Sequence, residues 1–254
     1  MDLGIGGKRA AIAAGSAGLG YGVAAALAAE GVHVAVCGRD DAKLAEATAA
    51  LGEVATGARP VGLVADVASA DGATAFVEQA AESLGGPLDI LVCNAGGPPP
   101  GTFATTDLDG YRQALESNCL ASIAMCRAAV PAMQQREWGR VLAITSIGAR
   151  EPIGFLAAST VARAALSAFL KVLSTEVAPD GVTVNNLQPG LHETDRVESL
   201  AGDQAAALLA DIPAREFGDA ADFGAMAAAL CAEQARFTTG VGLHIDGGAY
   251  RGLQ

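Results

Sequence analysis

Gly15-Ser16-Ala17-Gly18-Leu19-Gly20 follows the apolar run Arg9–Ala14 (RAAIAA) and opens a helical pattern, Leu19–Glu30, that stops at Gly31. This placement constrains the fold more than any other feature. A buried strand, a turn with three glycines and a helix make the first half of a βαβ unit. The glycines permit a tight turn, close approach of backbone to a pyrophosphate, and close helix packing. The helix start adds free N–H groups and the positive end of its dipole. The reading is a dinucleotide cradle built from Gly15, Ser16, Gly18, Leu19 and Gly20.

The rest of the chain repeats the alternation. Strands are expected at Val32–Cys37, Pro60–Ala65, Leu88–Cys93, Arg140–Thr145, Val182–Leu187 and Val241–Ile245. Helices are expected at Asp41–Leu51, Ser69–Leu84, Phe155–Val177 and Asp219–Glu233, with one long or two short helices across Thr105–Gln135. Strands alternating with helices imply right-handed crossovers and a parallel sheet. Near-continuous apolar strands fit a sheet covered on both faces. No linker, fixed-period repeat or low-complexity tract interrupts the pattern. The expectation is one α/β domain, residues 1–254, doubly wound and Rossmann-type, with a mostly parallel seven-stranded sheet flanked by helices.

Charge and composition remove several function classes. The net charge is −12 and aromatics are 4% of the 254 residues, which opposes binding to nucleic-acid backbones or anionic membranes. A local anion site at a helix N-terminus is still allowed. Cys37, Cys93, Cys119, Cys126 and Cys231 are odd in number, scattered, and form no CxxC pair. His33, His192 and His244 are far apart. Buried free thiols in a reducing compartment are expected, with no metal site. No leader pattern is seen, and no apolar run reaches ~18 residues without charge or turn residues, so a cytoplasmic protein is expected. Ser16 and Ser146 lie in no Gly-x-Ser-x-Gly elbow, which argues against serine hydrolase chemistry.

The second strand runs into Cys37-Gly38-Arg39-Asp40. An NAD-selective site of this kind places a carboxylate at that strand end for the ribose 2′-hydroxyl. Gly38 stands there instead. Arg39 follows and suits a 2′-phosphate, so NADP is favoured over NAD. Asp40 reads as the cap of the next helix.

Further segments complete a pattern: Ala65-Asp66-Val67, Cys93-Asn94-Ala95-Gly96, Gln188-Pro189-Gly190-Leu191-His192-Glu193-Thr194, and Ile245-Asp246-Gly247-Gly248. In order and spacing they resemble the short-chain dehydrogenase/reductase family along essentially the whole chain. The resemblance implies that Asp66 and Val67 lie by the adenine. It puts Asn94, Ala95 and Gly96 by the ribose side, and Pro189, Gly190 and Thr194 in a loop closing over the nicotinamide. Ala14 stands where Thr is usual, at the cost of a local hydrogen bond, and Cys93 replaces the first Asn of the NNAG motif. The family also implies a homotetramer or homodimer acting on a small molecule.

The family's active site commonly uses Asn, Ser, Tyr and Lys. Asn118 and Ser146 match the first two. At the family spacing the Tyr position holds Ser159, and the Lys position holds Arg163. The run Arg163-Ala164-Ala165-Leu166 resembles the usual KAAL and supports that register. Arg163 is therefore both a catalytic candidate and a cofactor contact, holding ribose or developing charge. A serine is far less acidic than a phenol, whose unperturbed pKa is ~10, and Arg does not relay protons. The replacement acid is open: His192 is one candidate, with Glu193, Glu151 and Tyr111 behind it. The Ser/Arg pair with Gly97-Pro98-Pro99-Pro100-Gly101 also resembles a divergent bacterial subgroup, and the prolines stiffen one pocket wall. The segment 191–213 is expected to cover the substrate.

The leading expectation is an NADP-preferring oxidoreductase on a carbonyl, alcohol or activated double bond, with a non-standard proton donor. A non-redox isomerase, lyase or cyclase, or a silent ligand-binding protein on the same scaffold, is the alternative.

Overall fold

The computed structural model describes residues 1–194, 197 and 205–253. Seven strands form one sheet in the order β3-β2-β1-β4-β5-β6-β7: β1 Arg9–Ile12, β2 His33–Gly38, β3 Val61–Val64, β4 Ile90–Cys93, β5 Gly139–Ile144, β6 Val182–Pro189 and β7 Gly242–Ile245. Every neighbouring pair is parallel, so the expected "mostly parallel" sheet is wholly so. The order reverses between β1 and β4, and a doubly wound sheet opens its crevice at such a switch point, beyond the carboxyl ends of the strands.

The helices are α1 Gly18–Ala29, α2 Asp41–Val54, α3 Ala70–Ser83, α4 Leu108–Leu115, α5 Ala121–Gln135, α6 Ala157–Val177, α7 Ala205–Asp211 and α8 Ala220–Cys231. Two apolar clusters separate on the two faces of the sheet. One joins strand residues such as Ala11, Leu91 and Val184 to α3, α5 and α6 through Phe76, Met125 and Leu166. The other joins Ile12, Val92 and Leu187 to α1, α2 and α8 through Leu27, Leu51 and Phe223. Asp40, Ser69, Asp107 and Asp219 cap α2, α3, α4 and α8 with side-chain oxygens.

Two local departures from the sequence reading have clear causes. The first strand ends at Ile12 rather than Ala14, because Ala14 turns into the left-handed region at φ 46° to enter the glycine turn. Thr105–Gln135 is neither one regular helix nor two. The π-helical turn Glu116–Leu120 joins α4 directly to α5. The helix through Ala157–Asp180 spans 24 residues and is long and apolar enough to cross a membrane, although Arg163, Lys171 and Glu176 interrupt its apolar run. Its apolar residues Ala158, Ala162, Leu166, Leu170 and Val177 form a buried stripe, which accounts for that composition by core packing.

At the amino-terminal edge of the sheet, Arg140 is 1% exposed. Its guanidinium lies 4.4 Å from the Trp138 ring centroid. Lys8 Nζ is 3.8 Å from the same centroid, and the indole Nε1 donates to Glu233 Oε1 at 2.7 Å. This polar knot lies at the end of the sheet opposite the crevice and ties α8 to β5.

Candidate functional site

The crevice at the switch point holds a cleft of about 760 Å³, lined on one side by Ser16, Gly38, Arg39, Lys43, Asp66 and Val67 and on the other by Ala95, Gly96, Pro98–Pro100, Ser117 and Ala158. Its floor is the turn after β1. The Ala14 N–H donates to Cys37 Sγ at 3.3 Å, and Asn94 Nδ2 donates to Ala14 O at 3.3 Å. Cys37 thus accepts the backbone N–H of the residue that enters the turn. Burial pushes its thiol up to about 11, so it stays neutral there.

The glycines of the turn are needed at close contacts. A Cβ on Gly20 would stand 2.5 Å from Ala14 O and 2.7 Å from Asn94 Nδ2. Gly18 has φ 55°. A Cβ there would lie 3.4 Å from Thr194 Cγ2, which brings the loop after β6 against the turn. Thr194 Oγ1 in turn donates to His192 O at 3.3 Å. Gly190 N donates to Ile245 O at 3.0 Å, and this anchors the loop's base beyond Pro189 to β7. Leu19 packs into the core behind the turn. At the far end of the cleft the Asp66 carboxylate accepts from Ala68 N–H at 3.0 Å, with Val67 buried beside it.

Gly38 carries information about the nucleotide. A Cβ there would meet Ser16 Oγ at 2.6 Å, so a larger residue would require the Ser16 side chain to move, and no carboxylate stands at that strand end. Arg39 and Lys43 both line the adjacent wall. Lys43 was missed by sequence reasoning. Its signal is its position in the first turn of α2, four residues after Arg39, where its own N–H is capped by Asp40 Oδ1 at 3.1 Å. The residues present fit a dinucleotide carrying an additional phosphate: a small-residue turn, a helix start, and two cations beside a strand end that carries glycine rather than a carboxylate.

The remaining candidates gather where β5 and α6 meet. Ser146 follows β5, and its Oγ accepts from Gly148 N–H at 3.0 Å, capping a short 3₁₀ turn. Ser159, 8% exposed, lies in the first turn of α6, and its Oγ accepts from Arg163 Nε at 3.3 Å. Arg163 Nη1 donates to Ile144 O at 3.0 Å and to Thr145 O at 2.7 Å. The guanidinium therefore ties α6 to the carboxyl end of β5, next to Ser146. Asn118 sits on the π turn, 3% exposed. Its Nδ2 donates to Ser117 Oγ at 2.8 Å, and its buried Oδ1 has no protein partner. Single π turns often mark functional positions.

The Pro98–Pro100 loop is fixed to this corner by a bridge, with Gly101 N–H donating to Phe155 O at 2.8 Å and Ala157 N–H to Gly101 O at 3.0 Å. Phe103 and Leu108, both largely exposed, flank it.

The candidate replacement acids lie elsewhere. His192 is 3% exposed, edge-on to Phe223 with ring centroids 5.3 Å apart, and its Nδ1 lies 3.3 Å from Gly190 O. It packs against Phe223 of α8, away from the cleft lining. Glu151 Oε2 accepts from Arg251 N–H at 3.1 Å. Tyr111 packs on Ala158 and Ala162 between α4 and α6. Glu193 is exposed. The covering segment 191–213 falls partly outside the described residues, at 195, 196 and 198–204.

Burial depresses the His192 pKa, outweighing the Gly190 hydrogen bond and the Asp219 and Asp246 charges that raise it. A folded-state value below the unfolded one means that the unfolded chain binds the extra proton first. The neutral ring's stability is then present above the ordinary value of 6.5 and lost as pH falls through the folded value. Unfolding midpoints of the parent and a His192→Phe variant are expected to converge as the solution is acidified from neutrality. Parallel pH profiles would contradict this.

All five cysteines are free and buried, and among the described residues no cluster of metal-ligating side chains occurs.

A family model described as Enoyl-(Acyl carrier protein) reductase matches residues 13–250. The 3-oxoacyl-[acyl-carrier-protein] reductase FabG of Escherichia coli is 32% identical over 248 residues, covering 96% of this chain and 98% of that protein. Dehydrogenase/reductase SDR family member 4 of Sus scrofa is 33% identical, covering 95% and 86%. Among solved structures, L-sorbose reductase from Gluconobacter frateurii, complexed with NADPH and L-sorbose, superposes with a TM-score of 0.90 at 31% identity over the full length of both chains. YwfH, an NADPH-dependent reductase involved in bacilysin biosynthesis, superposes with a TM-score of 0.91 at 25% identity, covering 97% of this chain and 100% of that one. Sheet order, glycine turn, closing loop and full-length similarity agree, and the chain belongs to the short-chain dehydrogenase/reductase family of oxidoreductases.

Proposed function

We propose that the protein is an NADP(H)-dependent oxidoreductase acting on a small molecule bearing a carbonyl, an alcohol or an activated double bond, with an unconventional source of the proton. The observation that carries the coenzyme choice is Gly38: a side chain there strikes Ser16, while Arg39 and Lys43 line the neighbouring wall. The NADPH named for the sorbose reductase and for YwfH supports the same choice.

Gly15, Ser16, Gly18, Leu19 and Gly20 would hold the diphosphate, with Arg39 and Lys43 at the 2′-phosphate. Asp66 and Val67 would meet the adenine, Asn94, Ala95 and Gly96 the ribose, and Pro189, Gly190 and Thr194 the nicotinamide side. The bound coenzyme supplies or accepts a hydride. Ser146 and Ser159 orient the substrate oxygen, and Arg163 fixes Ser159 in place. Asn118 acts as a positioning residue through its unpartnered carbonyl oxygen, and the 191–213 segment covers the substrate. The whole chain serves as one catalytic domain, working as a homodimer or homotetramer in the cytoplasm. The five unpaired thiols accord with a reducing compartment.

Fluorescence titration with NADPH and NADH tests this reading. NADPH is expected to bind tighter. Arg39→Ser is expected to weaken NADPH by about tenfold to a hundredfold, the equivalent of a charge-assisted hydrogen bond, with little change for NADH. Equal affinity for both coenzymes, unchanged by the substitution, would remove Arg39 from the site.

A further inference from the structure

We infer that Glu116 is a positioning residue whose carboxylate ties the adenine end of the cleft to the π turn that carries Asn118, so that filling one end of the cleft fixes the other. This deepens the preceding proposal and rests on it for where the coenzyme lies.

The π turn Glu116–Leu120 is a marginal geometry. Such turns are rare and occur as single widened turns inside α-helices, so contacts from other elements help to hold them. Two of its side-chain hydrogen bonds are local. Asn118 Nδ2 donates to Ser117 Oγ at 2.8 Å, and Ser117 Oγ donates to Gln113 O at 2.9 Å. Glu116 reaches further. Its Oε1 accepts from the Ala70 N–H at 3.0 Å, 46 residues back in the chain.

Ala70 is the first residue of α3, and Ser69 before it is that helix's cap. The N–H groups at a helix start lack partners within the helix. Ser69 Oγ takes the Gly72 N–H at 3.2 Å, and Glu116 takes that of Ala70. A carboxylate also suits the positive end of the helix dipole. The loop Asp66-Val67-Ala68 leads into this turn and folds tightly on it. A Cβ at Gly72 would stand 2.1 Å from Asp66 O.

Asp66, Val67 and Ala68 line one wall of the cleft, and Ser117 lines the other. One carboxylate thus joins the supports of both walls. Adenine held at Asp66 and Val67 steadies the first turn of α3. That turn holds Glu116, and Glu116 holds the π turn with Ser117 and Asn118. Glu116 is not itself part of the cleft lining, so it acts through its neighbours.

Hydrogen–deuterium exchange read by mass spectrometry tests this with adenosine 2′,5′-bisphosphate, which carries the adenine and the 2′-phosphate but no nicotinamide. In the parent chain the fragment is expected to slow exchange at 66–74 and at 116–121, each by about tenfold to a hundredfold, the worth of one hydrogen bond to a charged group. Glu116→Ala is expected to keep the protection at 66–74 and to lose it at 116–121. Glu116→Gln retains an acceptor and is expected to restore both. Ala70→Pro removes the same bond from the donor's side. Proline is favoured at a first helical position, and Ser69 is already extended at φ −125°, ψ 158°, as the residue before a proline prefers. Ala70→Pro is expected to match Glu116→Ala, and it decides the matter alone if Glu116→Ala does not fold. Fragment protection at 116–121 that survives removal of the bond would overturn the inference, because the fragment would then act on the π turn by direct contact. A parent in which the fragment protects 66–74 alone would overturn it as well. A fragment that protects neither segment would overturn the coenzyme reading, and this inference with it.

Discussion

The double variant Ser159→Tyr, Arg163→Lys is expected to reduce saturated ketones with NADPH at least ~10²-fold faster than the parent chain, the gain that a positioned general acid supplies. Among the described residues the parent brings the hydroxyls of Ser146 and Ser159 to this corner, and its cation is fixed on the carbonyls of Ile144 and Thr145. A phenol beside a lysine ammonium has its pKa drawn down from ~10 towards the working range, and can deliver a proton to an alkoxide as it forms. The two substitutions belong together. Arg163→Lys alone removes the guanidinium bridge to β5 and adds no acid, so it is expected to lower activity. Coenzyme oxidation on a ketone panel measures the effect. A folded double variant that binds NADPH but gains nothing would show that the missing acid does not belong at this corner.

The second large effect is on stability. Gly22→Val is expected to destabilise the chain by about 3 kcal/mol, the upper range for overpacking, and to lower its unfolding midpoint by roughly 10 °C. A Cβ at Gly22 would lie 2.0 Å from Ala220 O, and one at Gly224 would lie 2.1 Å from Gly22 O. Helices α1 and α8 therefore touch backbone to backbone at their crossing. Neither side can yield by rotating a side chain, so relief requires the helices to separate and to uncover Leu27 and Phe223 beneath them. Thermal unfolding followed by circular dichroism checks this. A midpoint within about 2 °C of the parent would mean that the crossing is loose.

The sheet was legible from sequence because fully buried parallel strands are written as short apolar runs between helical stretches, and the motifs fall at the strand ends where ligands bind. What could not be read was mostly geometry set by partners distant in sequence. Arg163 meets carbonyls 18 and 19 residues away, and backbone acceptors leave no trace in residue identity. His192 stood first among replacement acids because it lies in the closing loop and an imidazole has an unperturbed pKa of ~6.5, yet Gly218 opposite it leaves room for the ring to be buried. A Cβ at Gly218 would stand 2.6 Å from His192 Nε2. The π turn at Glu116–Leu120 preserves helical periodicity closely enough to pass as regular helix. The left-handed Ala14 is unexpected because a non-glycine residue rarely turns there. Lys43 belongs to none of the motifs, and only the fold of α2 against the strand ends brings it to the cleft wall.

A nicotinamide dinucleotide is expected to lie across the carboxyl edge of β1 and β4 with its diphosphate at the Gly15–Gly20 turn. A crystal structure of the protein grown with NADPH decides this. The diphosphate is expected at the start of α1 and the 2′-phosphate between Arg39 and Lys43. A cleft that stays empty at saturating NADPH, or a coenzyme bound elsewhere on the chain, would contradict it.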